Sequence, residues 1–153
     1  MNLILWRHAE ALEAGEGGDD MARPLTSRGE KQAARMATWL DRQLPDAARI
    51  LVSPSRRTEQ TAMALGRKYK ICAELSPGCS AAQLLELVQW PQAKNTVLVI
   101  GHQPTLGQTI AQLMGLTESE CAVKKGAVWW LRSRERGPGS QTVVVTVQSP
   151  EVL

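Results

Sequence analysis

Three short apolar runs, each ending abruptly in a polar group, constrain this chain more than any other feature. Leu3-Ile4-Leu5-Trp6 is followed by Arg7-His8. Ile50-Leu51-Val52 is followed by Ser53-Pro54, and Val97-Leu98-Val99-Ile100 by Gly101-His102. Runs this short and this apolar read as strands buried on both faces, the habit of parallel sheets covered by helices. In such sheets ligands bind in the crevice beyond the carboxyl ends of the strands. The chain has only two histidines, and each stands where one of these runs surfaces. A lone histidine after a strand is usually structural. Two in matching positions, phased with arginines, are poorly explained by packing.

Between the runs the pattern is helical. Arg23-Pro24-Leu25-Thr26 leads into a predicted helix over about Ser27–Leu44, with Thr26 or Ser27 as N-cap and Glu30 in the first turn. Ala33, Met36, Ala37 and Leu40 recur on it at helical spacing, and Pro45 ends it. Further helices are expected over Ser55–Lys70, Ala81–Val88 and Pro104–Met114, the last entered through a proline and closed by Gly115. Ile71–Leu75 reads as a short strand. Val128–Leu131 and Thr142–Val147 read as two terminal strands, with Arg134–Ser140 as the turn between them. Alternation of strand and helix over roughly the first 115 residues predicts an α/β fold: a three-layer α/β/α sandwich with a mainly parallel central sheet. The closing strand pair leaves no room for a helix and is expected to be antiparallel.

At 153 residues, the expectation is one domain over 1–153, within the roughly 100–200 residues usual per domain. A 43% hydrophobic content is enough for a core and argues against disorder. The net charge of +3 is only a weak bias towards anions. No Lys/Arg-rich tract or interleaved aromatic run supports nucleic-acid binding. Cys72, Cys79 and Cys121 fit no metal spacing and read as reduced thiols. The first apolar run is too short for a signal peptide or membrane span, so the expected location is the cytoplasm, with no membrane partner.

The groups at the strand ends suit phosphate. Arg57 falls in the first turn of a predicted helix, where the macrodipole disfavours a cation. An anion between the helix end and the guanidinium would explain it, and the planar fork of arginine matches phosphate oxygens. A neutral imidazole is a competent nucleophile towards phosphorus, and a second can steady equatorial oxygens. Arginines would neutralise the charge that a metal handles elsewhere. No His-x-x-x-His, carboxylate cluster or cysteine pair offers a metal site, and no glycine-rich nucleotide loop is present, so no cofactor is expected.

Four segments together resemble one family. Arg7-His8-Ala9-Glu10 is similar to the R-H-G-E signature of the histidine phosphatase, or phosphoglycerate mutase-like, superfamily. Arg23-Pro24-Leu25-Thr26 with Gly29 resembles its R-x-L-T-x-x-G segment. Ser53-Pro54-x-x-Arg57-x-x-Gln60-Thr61-Ala62 resembles its second arginine motif, and Gly101-His102-Gln103-Pro104 its late histidine motif. The short chain and the G-H-x-P form resemble the SixA-type phosphohistidine phosphatases in particular.

The resemblance implies that His8 takes the phosphoryl group as a covalent phosphohistidine. It implies that Arg7, Arg57 and His102 form the phosphate pocket. Arg23 and Ser53 are candidates for contact with phosphate or substrate, although Asp19 and Asp20 offer Arg23 a simple salt bridge. Arg56 is one residue off the motif and about 100° around a helix, so it is left out. Ala9 stands where the family has glycine, so this position cannot need a positive φ without strain. The general acid of larger members lies after the third strand. There the chain offers only Glu74 before Glu86, neither in a clear motif, and Glu10 and Glu74 read better as solvated or ion-paired. A missing acid suits a phosphoramidate, whose leaving imidazole can carry its own proton. The absence of lid-forming insertions suits a protein substrate.

The expected activity is therefore a metal-independent phosphatase acting on phosphohistidine in a phosphorelay or phosphotransfer protein, with phosphate and vanadate as ligands. The rivals are a phosphatase of a small phosphate ester, such as a sugar or nucleotide-precursor phosphate, and a non-catalytic phosphate-binding module on the same fold. Intact His8 counts against the module.

Overall fold

The computed structural model describes all residues, Met1–Leu153. Six strands form one sheet: β1 (Asn2–Arg7), β2 (Arg49–Val52), β3 (Lys70–Ile71), β4 (Val97–Gly101), β5 (Val128–Arg136) and β6 (Gly139–Gln148). Their order across the sheet is β3-β2-β4-β1-β5-β6. β1, β2, β3 and β4 pair in parallel, whereas β5 pairs antiparallel with both β1 and β6. This is the α/β sandwich with an antiparallel closing pair that the strand–helix alternation predicts.

Four helices cover the sheet: α1 (Ser27–Gln43), α2 (Arg56–Met63), α3 (Ala81–Val88) and α4 (Thr105–Met114). The two layers follow from the two-residue period of the strands. Ile4, Trp6, Leu98 and Ile100 face α1 and α2, meeting Met36, Leu40 and Ala62. Leu3, Leu5, Val97 and Val99 face α3 and α4, meeting Leu84, Leu106 and Ile110. All eight of these strand residues are fully buried, which accounts for the unbroken apolar runs. Burying each such side chain contributes roughly 1.5–3 kcal/mol. Thr26 caps α1, its Oγ1 accepting from Gly29 N at 2.9 Å. A Cβ on Gly29 would run into the Glu10 carbonyl, so glycine allows α1 to lie against the segment that leaves β1.

Three expected elements differ in extent. The helix expected over Ser55–Lys70 stops at Met63 and gives way to turns that place Gly66 at φ +73°. Arg67 serves the end of α1 instead, where its guanidinium binds Asp41 and the carbonyls of Asp41, Leu44 and Pro45. The strand expected over Ile71–Leu75 is only Lys70–Ile71, because β2 offers a ladder only as far as Val52. Ala73–Leu75 then form a 3-10 turn. The turn expected over Arg134–Ser140 shrinks to Gly137-Pro138, with Arg136 opposite Gly139. Polar side chains there do not end the strands, since the ladder uses backbone groups alone. Trp129 and Trp130 pack on opposite faces of the sheet, and both are half-buried.

Candidate active site

Strand register alone brings the histidines together. Arg7 of β1 lies opposite Gly101 of β4, so the next residues, His8 and His102, leave the sheet side by side. Their ring centroids are 5.4 Å apart, and His8 N donates to Gly101 O. β2 flanks β4 on the other side with Val52 opposite Ile100, which brings Ser53 alongside. The order β2-β4-β1 thus lines up Ser53, His102 and His8 at one edge.

His8 is 7% and His102 5% exposed. Burial, assisted by the charges of His102, Arg57 and Arg7, pushes His8 down to about 3, against a raising hydrogen bond to Ala9. Burial and Arg57 push His102 down to about 4. Both rings are therefore neutral near pH 7. Nδ1 of His8 lies 2.8 Å from the Ala9 carbonyl. A carbonyl only accepts, so Nδ1 carries the proton and Nε2 keeps its lone pair. Ala9 itself has no positive φ, and its N–H donates to Thr61 Oγ1. Alanine in place of glycine is unstrained here.

Ser53 is fully buried, and its hydroxyl lies 2.7 Å from His102 Nε2. The hydroxyl expected as a substrate contact is thus engaged by the second imidazole. Nδ1 of His102 is left facing Arg57 Nη2, 3.4 Å away.

Arg57 is the second residue of α2 and is buried, whereas Arg56 points to solvent. The helix start is held by a capping box between Ser55 and Thr58, and Thr58 Oγ1 also donates to the Ser53 carbonyl. Arg57 Nη1 donates to the Asp20 carbonyl at 2.8 Å and Nη2 to Asp20 Oδ2 at 3.1 Å. Arg7 Nη1 donates to Val123 O at 2.7 Å. The Nε–H groups of Arg7 and Arg57 are buried without any acceptor. Two unpaired buried cationic donors beside two neutral imidazoles form a site that an oxyanion would satisfy.

Arg23 is tied to the loop after β1. Its Nε donates to Leu12 O, and Nη1 meets Asp20 Oδ1 at 3.0 Å. The salt bridge that Asp20 offered is therefore formed, and through Asp20 Arg23 is one carboxylate away from Arg57. Asp19 instead caps the 3-10 turn Asp20–Ala22. Glu74 and Glu86 are exposed on the Ala73–Leu75 turn and on α3 and make none of these contacts. Glu10 accepts from Thr26 Oγ1. No three His, Cys, Asp or Glu side chains converge as metal ligands, the three cysteines are free, and no helix is long and apolar enough to cross a membrane.

Sequence reasoning assigns no site role to four further residues that the structure brings to it. Asp20 links two arginines, and the only hint was an acidic pair three residues before Arg23. Thr61 and Gln60 hold the first loop, Gln60 Oε1 accepting from Leu25 N at 2.7 Å. Gln103 pins α4, accepting from Gly107 N and donating to Cys121 O.

The chain is similar in sequence and fold to known proteins. Residues 3–80 match the sequence profile of the histidine phosphatase superfamily (branch 1). The chain is 34% identical over 123 residues to the phosphohistidine phosphatase SixA of Escherichia coli (strain K12), covering 74% of each. It is 30% identical over 130 residues to the SixA homolog of Haemophilus influenzae, covering 75% of this chain and 78% of that one. Its fold superposes on the protein histidine phosphatase SixA complexed with tungstate with a TM-score of 0.77, at 28% identity over 99% of both chains. A profile that covers the first three strands with Arg7 and Arg57, and relatives that extend well beyond it, agree with the geometry: the chain belongs to the histidine phosphatase superfamily, branch 1.

Proposed function

We propose that this protein is a phosphohistidine phosphatase that works through a covalent phosphohistidine on His8. The observation that carries the proposal is the pairing of a neutral, tautomer-fixed His8 with unpaired buried donors on Arg7 and Arg57. The lone pair of Nε2 attacks phosphorus, and the proton stays on Nδ1 against the Ala9 carbonyl. Arg7, Arg57 and His102 take the equatorial oxygens, His102 in the tautomer in which Ser53 Oγ donates to Nε2 and Nδ1 carries the proton, and charge-assisted bonds of the arginine kind are the main stabilisers of such transition states. Ser53 positions His102, and Arg23 acts at the mouth. Water then attacks phosphorus, the Nε2–P bond breaks with its electron pair returning to Nε2, and the proton of the water passes to an oxygen of the departing phosphate, so His8 returns neutral with its proton still on Nδ1.

The reading requires no metal, since arginines supply the positive charge. Its substrate is a histidine-containing phosphotransfer protein acting in the cytoplasm, and phosphate, vanadate and tungstate are its simple ligands. The SixA relatives favour phosphohistidine as substrate. So does the lack of a proton donor. Glu74 is remote from the site's contacts, and Arg23, with Arg57, holds the Asp20 carboxyl below its usual range, leaving it ionised. An alkoxide leaving group is poorly served without an acid, which typically contributes ~10²–10⁴-fold.

The test compares kcat/KM on a phosphorylated histidine-containing transfer domain with that on sugar and nucleotide phosphates. The protein substrate is expected to lead. An ester turned over at least as efficiently would transfer the assignment to small-molecule hydrolysis.

A further inference from the structure

Asp20 occupies an unusual position for a carboxylate in a site for anions. Its Oδ2 lies 3.1 Å from Arg57 Nη2 and its Oδ1 3.0 Å from Arg23 Nη1. The same Arg57 nitrogen reaches His102 Nδ1 at 3.4 Å, so one nitrogen separates the carboxylate from the second imidazole. The Asp20 side chain is 55% exposed while that of Arg57 is 5% exposed. The carboxylate therefore sits at the mouth and the unpaired Nε donors lie within. Any oxyanion that enters meets Asp20 as well as the arginines, and like charges at this range repel. The contact becomes favourable only if the bound group carries a positive charge on its outer side.

Building on the function proposed above, we propose that Asp20 is a specificity-determining residue, selecting phosphoryl groups carried on a protonated imidazole over phosphate esters. A phosphohistidine ring protonated on its free nitrogen is cationic. When His8 attacks, the P–N bond breaks and its electron pair returns to the ring nitrogen. The ring leaves as neutral imidazole with the proton it already had, and no donor is needed. An ionised carboxylate at the mouth holds that proton on the ring. An ester presents no cation there and meets only repulsion. The acid-poor site and the misplaced-looking carboxylate then have one explanation.

The experiment uses Asp20→Asn, which keeps the backbone carbonyl that Arg57 binds and an oxygen of similar shape, with Asp20→Glu restoring the charge. Tungstate affinity and kcat/KM on p-nitrophenyl phosphate and on a phosphorylated transfer domain are measured for each. Asp20→Asn is expected to bind tungstate more tightly and to lose about tenfold in the ratio of phosphohistidine to ester hydrolysis, the size expected of one nearby charge. Asp20→Glu is expected to recover most of that ratio. Weaker tungstate binding with an equal fall on both substrates would overturn the proposal and make Asp20 a mere prop for the arginines. Wild-type protein inactive on phosphohistidine but active on the ester would instead defeat the function it rests on, a failure visible without any variant.

Discussion

The strand ends and the loop before α1 reach the same site by different physics. His8, His102, Ser53 and Arg57 are buried, and they hang from a register fixed by three adjacent parallel strands and a capped helix. Arg23 and Asp20 come from a polar segment whose 3-10 turn buries no residue and is held by side-chain ties. The first region has little freedom to change without disturbing the core. The second can change its charges at small cost to the fold. On the function proposed above, chemistry resides where packing dictates geometry, and selectivity where it does not.

The largest effect should come from the rigid region. His8→Ala is expected to lower turnover by at least ~10³-fold, as for loss of a nucleophile. Steady-state kinetics on the transfer domain checks this, and near-normal turnover would break the comparison at its base. A smaller contrast separates two neighbouring arginines. Arg57→Ala removes charge-assisted contacts worth roughly 1.5–3 kcal/mol and should weaken vanadate binding about tenfold or more. Arg56→Ala, at the solvent face, should change it little. Titration of both variants tests the register of α2, and equal effects would refute it.

The buried imidazoles also tie stability to pH. Both histidines have folded values depressed from 6.5, to about 3 and about 4. Below pH 6.5 the unfolded chain takes up protons that the folded site refuses, so stability falls as pH drops towards 4. Each ring contributes up to ~1.4 kcal/mol per pH unit over that window. Denaturant unfolding of wild type and His8→Asn between pH 7 and 4 should show a shallower loss in the variant. Parallel curves would mean that His8 is not buried neutral. The smallest expected effect is none: prolonged EDTA treatment should leave the rate unchanged, and a loss restored by Mg²⁺ or Zn²⁺ would contradict charge neutralisation by arginine alone.

The same division decides what was legible in the sequence. The runs ending at Trp6, Val52 and Ile100 announce buried parallel strands, and the polar groups after them announce the site edge. The phase of Arg57 against Arg56 follows from one helical step. What escaped depended on partners remote in sequence. Asp20 matters only because Arg57, 37 residues later, reaches its carbonyl and its carboxylate. Ser53 belongs to a phosphate motif, yet its hydroxyl is taken by His102. The length of α2 was overestimated because Arg67 continues a helix-compatible composition while its side chain serves the end of α1. The hairpin was underestimated because backbone ladders tolerate the polar residues that read as a turn.

On the proposed mechanism His8, and not its neighbour 5.4 Å away, carries the phosphoryl group. Rapid alkaline quenching of the protein with a ³²P-labelled transfer domain, followed by peptide mapping, tests it directly. Acid-labile phosphate is expected on the peptide containing His8 and none on the peptide containing His102. Label on His102, or turnover with no phosphorylated protein intermediate at all, would contradict it.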